Sequence, residues 1–216
     1  MRVGADEAGK GPALGPMVAG AVRADPADLP EGLDDSKRLT EARREELAAE
    51  LREHPEISVT TAAVEPERID APETDMNTLG VAAQAEAVAT VVEPADDVIA
   101  DAADTDESRF GQRLADAVAD AGTEVAVTAE HGADEAHAVV SAASVVAKVE
   151  RDRRMAEIDG QYDRHVGSGY PSDSTTRAFL ADYVEEHGTL PACARTTWST
   201  CEDALAAAEQ SGLSDF

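Results

Sequence analysis

Four acidic residues of this chain stand among small and apolar neighbours, which makes them candidates for chemistry. Asp6 and Glu7 are adjacent in "RVGADEAGKGP", Asp101 ends "DVIAD", and Asp134 precedes the apolar run "AVVSAASVVAKV". A set of carboxylates without thiolate or imidazole favours Mg²⁺ or Mn²⁺ over Zn²⁺. Two such ions about 4 Å apart would orient a water molecule and stabilise both the attacking and the leaving oxygen in hydrolysis of a phosphodiester.

The adjacent pair poses a geometric condition. Neighbouring residues of a regular strand point to opposite faces, so Asp6 and Glu7 serve one site only if the strand bends or ends there. Gly9 and Gly11, just beyond, predict such a break. Other acids near the candidates are expected to be solvated, because they fall on turns or exposed helix faces: Asp104, Asp106, Glu107 and Glu135.

The composition indicates a folded, salt-adapted protein. The 216 residues hold 45 Asp and Glu against 18 Lys and Arg, a formal charge of −27, yet 43% are hydrophobic. At molar salt the Debye length falls to roughly 3 Å, which screens the repulsion within such an acidic surface.

The sequence has no apolar run long enough to span a membrane and no secretory signal, so a cytoplasmic protein is expected. Cys193 and Cys201 match no common zinc pattern and are expected to be partly buried free thiols.

Periodicity and turn residues predict strands first, then alternating helices and strands. The predicted strands are 2–7, 17–24, 57–64, 96–101 and 123–129, the first two forming a hairpin. The predicted helices are 39–54 with Thr40 as N-cap, 77–92 with Asn77 as N-cap, 106–121, 134–159 beginning at the Asp134 turn, 174–187 and 198–210. This order favours one α/β domain with a mixed sheet and a helical C-terminal part.

Five segments, in order and spread over nearly the whole chain, resemble the type 2 ribonucleases H, ribonuclease HII, of archaea. They are "DEAGKGPALGPMVAGAV", "DDSKRLT", "ADAADTDESRF", "ADEAHAVVSAASVVAKVERDR" and "GSGYPSDSTTRAFL". The resemblance implies the ribonuclease H-like fold, a mixed five-stranded sheet flanked by helices. It also implies a catalytic domain at 1–190, a helical segment at 191–209 and a separate tail at 210–216.

The same resemblance implies the activity and the site. The enzyme would use Mg²⁺ or Mn²⁺ to hydrolyse the RNA strand of RNA–DNA hybrids and to incise at ribonucleotides embedded in DNA. Its catalytic metal ligands would be Asp6, Glu7, Asp101 and Asp134. Its substrate-binding residues would be Gly9, Lys10 and Gly11, which match the 2′-hydroxyl-sensing Gly-Arg-Gly motif, and Tyr170, which matches the junction-reading tyrosine. Lys37 and Lys148 are further candidates for substrate binding, because they lie in clusters of basic residues in a chain with only 18 Lys and Arg.

One departure concerns Lys10, which stands where the family usually has arginine. If that position acts mainly through backbone groups, as the flanking Gly9 and Gly11 suggest, lysine serves equally; if a planar guanidinium is needed, ribose recognition weakens.

Further basic residues cluster after the buried helix, at Lys148, Arg151, Arg153 and Arg154, and are either a binding surface or ordinary solvated charges. Trp198, the single tryptophan, is expected to pack rather than to stack on a base. The protein is expected to act as a monomer.

Two alternatives remain open from the sequence. One is a non-catalytic nucleic-acid-binding or clamp-binding module that keeps the fold, against which the presence of all four acids argues. The other is a halophilic protein whose carboxylates bind only solvent cations.

The tail "EQSGLSDF" carries Gln210, Leu213 and Phe216 with the spacing Q-x-x-L-x-x-F. It resembles the peptide by which replication and repair enzymes dock on the sliding clamp, although the usual second aromatic residue is missing. In one turn of 3₁₀ helix, Leu213 and Phe216 would present a single apolar surface. A frayed terminus is the alternative.

Overall fold

A mixed five-stranded sheet forms the centre of the fold. The computed structural model describes residues 1–33 and 39–214. The strands are β1 (Arg2–Ala8), β2 (Met17–Ala24), β3 (Ser58–Val64), β4 (Asp97–Asp101) and β5 (Ala126–Glu130), in the order β3-β2-β1-β4-β5. Strand β1 pairs antiparallel with β2 and parallel with β4, and β4 pairs parallel with β5. The predicted mixed sheet and the antiparallel pairing of the first two strands are confirmed.

Eight α-helices accompany the sheet in the described part of the chain. Their bounds are α1 (Glu41–Glu53), α2 (Pro66–Ile69), α3 (Met76–Val91), α4 (Glu107–Asp120), α5 (Ala133–Ala136), α6 (Ala138–Asp159), α7 (Ser174–His187) and α8 (Ser199–Ser214). Helices α1, α3, α4 and α7 lie where the sequence predicts them, within two residues at each end. The short α2 was not predicted, because four residues are too few for a periodic pattern.

The N-caps show how local chemistry selects a helix start. Thr40 caps α1 as predicted, since its side chain accepts a hydrogen bond from the Arg43 amide. Asn77 as the cap of α3 is wrong: Asp75 is the N-cap, and its carboxylate accepts from the amides of Asn77 and Thr78. A carboxylate at this position satisfies two otherwise unpaired amides and also interacts favourably with the helix dipole.

The predicted helix 134–159 is interrupted. Helix α5 ends at Ala136, His137 takes an extended conformation, and α6 begins at Ala138. The His137 imidazole lies 3.0 Å from the Glu130 carboxylate, and its amide closes α5 on the Ala133 carbonyl. The sequence has no glycine or proline here, and a contact between residues seven apart along the chain accompanies the interruption.

By its internal contacts the chain divides into two units. The first comprises Met1–Ala8, Met17–Ala63 and Asp75–Arg151, and it contains the sheet. Its glycines allow a strand and a helix to approach closely: a Cβ on Gly20 would lie 2.5 Å from the Ala143 carbonyl of α6, and one on Gly4 would lie 2.2 Å from the Val139 carbonyl. The face of β1 and β2 that carries these glycines therefore packs directly on the backbone of α6.

The second unit comprises Gly9–Pro16, Val64–Thr74 and Asp152–Phe216. Its core joins the loop after β1 to α7 and to the segment before α8. Cys193 and Cys201 are buried free thiols, as predicted, and burial raises the pKa of Cys201 to about 11. Trp198 packs partly buried against the same core, which confirms its predicted packing role. The predicted domain boundaries at 190/191 and 209/210 stay predictions.

No helix in the described residues is long and apolar enough to cross a membrane.

Candidate active site

Strand β1 carries the first two candidate acids on opposite faces. Its pairing with β2 stays regular through Asp6–Gly20, Glu7–Ala19 and Ala8–Val18, so the strand does not bend at the acidic pair, and the predicted break lies just beyond it. The strand ends one residue later, at Ala8, and Gly9 follows with a φ of 84°. Regular pairing holds each acid to its own face, because alternation persists as long as the ladder does.

Asp6 lies on the face that packs on α6. Its side chain is 6% exposed, and the pKa of its carboxyl is raised well above the usual value, first by burial and then by the negative charges of Glu7 and Asp101. The Ser144 hydroxyl opposes this shift, although its geometry falls short of a well-formed hydrogen bond. The electrostatic influence of Glu7 and Asp101 on Asp6 shows that three of the four predicted acids share one neighbourhood.

Glu7 lies on the other face, where a buried glutamine holds it. The Gln84 amide nitrogen of α3 donates to Glu7 Oε2 at 2.6 Å and to the Asp101 carbonyl at 3.1 Å. Gln84 is fully buried, and its Oε1 has no hydrogen-bond partner among the described residues. The sequence analysis missed Gln84; the available signal was a lone amide in the small-residue run "GVAAQAEAV".

Asp101 contacts the turn that carries Asp134, at the end of the parallel strands. Asp101 is the last residue of β4, and its Oδ1 accepts a hydrogen bond from the Ala133 amide at 2.8 Å. Asp134 follows immediately and is 5% exposed. It belongs to the four-residue α5 rather than to the first turn of a long helix, which corrects the predicted placement. Gly132, with a φ of 67°, allows the left-handed turn that leads into α5.

Asp104 is not the solvated acid that its position in a turn suggests. It is 5% exposed and forms a two-pronged ion pair with Arg109 of α4, which lowers the pKa of its carboxyl to about 2. Its backbone carbonyl lies 2.7 Å from the His131 Nε2. These contacts connect the segment after β4 with the segment after β5, from which Asp101 and Asp134 come. The exposed positions predicted for Asp106 and Glu107 are confirmed.

Within the described residues, no group of three or more Asp, Glu, His or Cys side chains is already arranged to hold a metal ion. Glu7 and Asp101 each have a protein partner, as described above. Asp6, Glu7 and Asp101 thus lie close enough to influence one another, and Asp134 follows the residue that binds the Asp101 carboxylate, but their side chains are not yet arranged as metal ligands.

The predicted substrate-binding loop Gly9–Gly11 belongs to the second unit. Of its two glycines, Gly9 alone has the positive φ that favours glycine; a Cβ on Gly11 would meet no atom within 4 Å. Lys10 is half-buried. Backbone hydrogen bonds connect the residues after Gly11 to the loop that contains Gly169. The amides of Ala13 and Leu14 donate to the Gly169 carbonyl at 2.8 and 3.2 Å.

Tyr170 follows Gly169 and is 39% exposed, an unusual position for a large aromatic side chain in this protein. Its loop is ordered by Asp173, whose carboxylate accepts from the Ser168 amide and hydroxyl at 2.7 and 2.8 Å. The Gly169 amide donates to Thr176 Oγ1 at 2.9 Å. These three hydrogen bonds fix the loop that carries Tyr170.

The structure describes three of the other five predicted binding residues, Lys148, Gln210 and Leu213. Lys148 lies half-buried on α6. Lys37 and Phe216 lie outside the described residues. Gln210 and Leu213 lie in α8, which continues to Ser214, so the predicted 3₁₀ turn is not found up to that residue and the helix is longer than predicted.

The comparison with known proteins decides the family. The family model for ribonuclease HII matches residues 3–201. The chain belongs to the ribonuclease HII family. The ribonuclease HII of Haloarcula marismortui is 61% identical over 216 residues, with 100% of both chains covered. This membership confirms an enzyme of the ribonuclease H class, and the halophilic relative confirms the salt-adapted interpretation of the acidic composition.

Two solved structures of ribonuclease HII proteins share the fold. Ribonuclease H2 from Pyrococcus horikoshii has a TM-score of 0.85 and 34% identity, covering 96% of this chain and 98% of that one. Ribonuclease HII from Archaeoglobus fulgidus, solved in a complex with PCNA, has a TM-score of 0.83 and 34% identity, covering 94% and 96%. The predicted ribonuclease H-like fold is thereby confirmed. The roles of the individual site residues stay predictions.

Proposed function

We propose that this ribonuclease HII hydrolyses the RNA strand of RNA–DNA hybrids and also incises at single ribonucleotides embedded in duplex DNA, leaving 3′-hydroxyl and 5′-phosphate ends. One observation carries the proposal: the neighbouring parallel strands β1 and β4 carry Asp6, Glu7 and Asp101 at or near their ends, and the Ala133 amide binds the Asp101 carboxylate from the turn that bears Asp134. Four carboxylates from two strand ends and one turn suit a hydrolytic metal centre.

The residues present fit Mg²⁺ or Mn²⁺. All four candidate ligands offer oxygen, the donor that hard divalent cations prefer. The charges of Glu7 and Asp101 act on the buried Asp6, and a cation would relieve this repulsion. The unpartnered Oε1 of Gln84, buried beside Glu7, offers a further acceptor for a hydrated ion. Asp6, Glu7, Asp101 and Asp134 would hold the ions.

When bound, two divalent ions would supply an activated water and stabilise negative charge on the scissile phosphate. The chain supplies the positioning. Gln84 orients Glu7 and simultaneously grips the carbonyl of Asp101, while the Ala133 amide fixes the Asp101 carboxylate. These hydrogen bonds to ligand groups restrict rotation of the carboxylates, which is the usual contribution of residues that contact metal ligands.

Substrate recognition is assigned to the second unit, with further contributions from Lys148 and Lys37. The Gly9–Lys10–Gly11 backbone would contact the 2′-hydroxyl that distinguishes RNA from DNA, and exposed Tyr170 would pack on the adjoining sugar. The positive φ of Gly9 and the open space at Gly11 support close approach of a ligand to the backbone. If recognition uses backbone groups, lysine at position 10 serves in place of arginine.

A labelled duplex with one ribonucleotide tests the proposal directly. We expect cleavage with Mg²⁺ or Mn²⁺, none with chelator, and none of the all-DNA duplex of the same sequence. Treatment of the product with phosphatase and ligase identifies its ends. Cleavage of a long hybrid but not of the single-ribonucleotide duplex would restrict the activity to hybrids, and cleavage that persists in chelator would remove the metal assignment.

Tyr170→Ala tests the recognition part separately. We expect it to reduce cleavage at the RNA–DNA junction far more than it reduces stability, because Tyr170 is 39% exposed. Tyr183→Phe, which changes a partly buried tyrosine of the same unit, is the control. Unchanged junction cleavage by Tyr170→Ala would remove the role of this residue.

The sliding clamp is the proposed protein partner, through Gln210, Leu213 and Phe216. The Archaeoglobus fulgidus relative was solved in a complex with PCNA, which supports this assignment. Gln210 and Leu213 lie three residues apart in α8, which continues to Ser214.

A further inference from the structure

Arg195 is a fully buried cation in the second unit. It has 0% exposure and is the bulkiest fully buried side chain of the described residues. A buried charge is costly unless polar groups surround it, so its partners indicate what it is retained for. Neither charge patterning nor helix periodicity singles it out, because it lies in the irregular segment "ACARTTW" between α7 and α8.

The guanidinium of Arg195 binds both ends of the loop after β1. Its Nη2 donates to the Gly9 carbonyl at 2.6 Å, its Nη1 to the Lys10 carbonyl at 3.0 Å, and its Nε to the Gly15 carbonyl at 3.0 Å. Its backbone amide donates to the Ala13 carbonyl at 2.8 Å. One residue thus makes four hydrogen bonds to a seven-residue stretch of backbone.

Two neighbours fix Arg195 in this position. The Trp198 ring lies 5.2 Å from the guanidinium carbon, and its indole nitrogen donates to the Gly11 carbonyl at 3.3 Å. The Asp70 carboxylate accepts hydrogen bonds from the amides and hydroxyls of Thr196 and Thr197, at 2.7 to 3.2 Å. The segment that carries the arginine is therefore itself held at a fixed place.

The arrangement requires arginine rather than any cation. The guanidinium presents five N–H donors in a rigid plane, whereas a lysine ammonium is a single point with three donors on a flexible stem. A lysine at position 195 could not hold three carbonyls spread from Gly9 to Gly15 at once. The loop would lose the restraint on its proposed ribose-contacting part.

The same restraint reaches the tyrosine loop through backbone hydrogen bonds. Ala13, whose carbonyl accepts from the Arg195 amide, donates its own N–H to the carbonyl of Gly169, next to Tyr170. A displacement of the Gly9–Gly15 loop would therefore act on the Tyr170 loop as well.

We propose that Arg195 is the positioning residue for substrate recognition: it sets the backbone of Gly9–Gly15, and through Ala13 the loop of Tyr170, in the arrangement that admits a ribonucleotide. This inference rests on the proposed function, in which that loop reads the 2′-hydroxyl. It assigns Arg195 no contact with the substrate.

Arg195→Lys is the test, with Phe179→Leu as the matched control because Phe179 is buried in the same core and makes no hydrogen bond to the loop through its side chain. We expect Arg195→Lys to lower kcat/KM on the single-ribonucleotide duplex about a hundredfold, the cost of a small misplacement of reacting groups. The Mg²⁺ concentration for half-maximal cleavage should stay near that of the wild type, since the acids belong to the first unit. Phe179→Leu should lower the melting temperature without this loss.

Trp198→Phe is the second variant, and it tests the positioning of the loop if Arg195→Lys does not fold. It keeps an aromatic ring beside Arg195 but removes the donor to Gly11, and it should lower kcat/KM in the same direction by a smaller factor. A kcat/KM that falls no further in either folded variant than in Phe179→Leu would overturn the proposal.

Hydrogen exchange separates this inference from the proposed function. The amides of Ala13 and Gly15 are bonded to the Gly169 and Cys193 carbonyls, and their exchange is measured without substrate. They should exchange faster in Trp198→Phe, and in Arg195→Lys if it folds, than in Phe179→Leu; equal rates would overturn the positioning role. Failure of the wild type to cut at a single ribonucleotide would instead refute the proposed function.

Discussion

Gln84 and Arg195 are both buried polar side chains that hold functional backbone, but they do so in different surroundings. Gln84 grips Glu7 and Asp101 in a region where paired strands already fix both residues. Arg195 grips Gly9, Lys10 and Gly15 in a loop, where its own bonds are a large part of the restraint.

The proposed metal site and the proposed substrate-binding loop therefore differ in how many contacts support them. Carboxylates placed by strand pairing and by close helix contact have several supports, so losing one should change ligand orientation more than fold. A loop in which one side chain holds three carbonyls should lose its conformation when that side chain changes. The following variants test the contrast, beginning with the largest expected effect.

Asp101→Asn should abolish most turnover while the fold remains. It removes a negative ligand but keeps the shape and an oxygen that can still accept from the Ala133 amide. The loss should be on the order of a hundred- to thousandfold, as for other groups that stabilise charge in the transition state. Circular dichroism should barely change. Cleavage near the wild-type rate in saturating Mg²⁺ would remove Asp101 from the metal site.

Gln84→Leu should weaken metal binding about ten- to a hundredfold, the usual cost of losing a partner of metal ligands. The side chain of Glu7 would lose its hydrogen bond from Gln84, whereas strand pairing would still hold its backbone. Mg²⁺ titration by calorimetry measures the effect without substrate, and Gln112→Leu on the exposed surface of α4 is the control. If Mg²⁺ binds equally well to both variants, Gln84 is only a packing residue.

Gly20→Ala should destabilise the first unit by about 1–3 kcal/mol, the range for overpacking a close contact. Its new Cβ would lie 2.5 Å from the Ala143 carbonyl, so α6 would have to move. Chemical denaturation measures the free energy of unfolding. A stability equal to that of the wild type would show that the sheet and α6 separate more easily than this contact implies.

Gly11→Ala provides the matching change in the loop. The new Cβ meets no atom within 4 Å, and φ at Gly11 is not positive, so the melting temperature should stay nearly constant. Cleavage at a ribonucleotide should fall, because the methyl group would stand between the backbone and the ribose. Full activity of Gly11→Ala would contradict close approach of the ribose at this position.

Deletion of residues 210–216 should have the smallest effect on catalysis. Cleavage of a short free duplex should remain unchanged, while binding to the sliding clamp of the same organism should be lost. Surface plasmon resonance with immobilised clamp measures the binding. A truncated chain that binds the clamp as well as the full chain does would show that the tail has no role in docking.

Much of the fold was predictable because local patterns carry the necessary information. Alternation and apolar runs located β1, β2 and β4, and the same runs located Asp6 and Asp101 at or near strand ends. The resemblance of five motifs located the family. The start of α3 was missed because Asp75 and Asn77 are both good caps, and only the folded backbone decides which one the amides meet.

The sequence by itself determined which acids lie in an apolar setting, the order of the strands along the chain and the charge that suits a salt-rich solvent, since each depends on residue type and short-range spacing. Only the tertiary structure decided that Glu7 meets Gln84 and that Arg195 holds the loop after β1. The physical reason is separation along the chain: Arg195 and Gly9 are 186 residues apart. A hydrogen bond between such residues depends on how the whole unit packs, which no local pattern encodes.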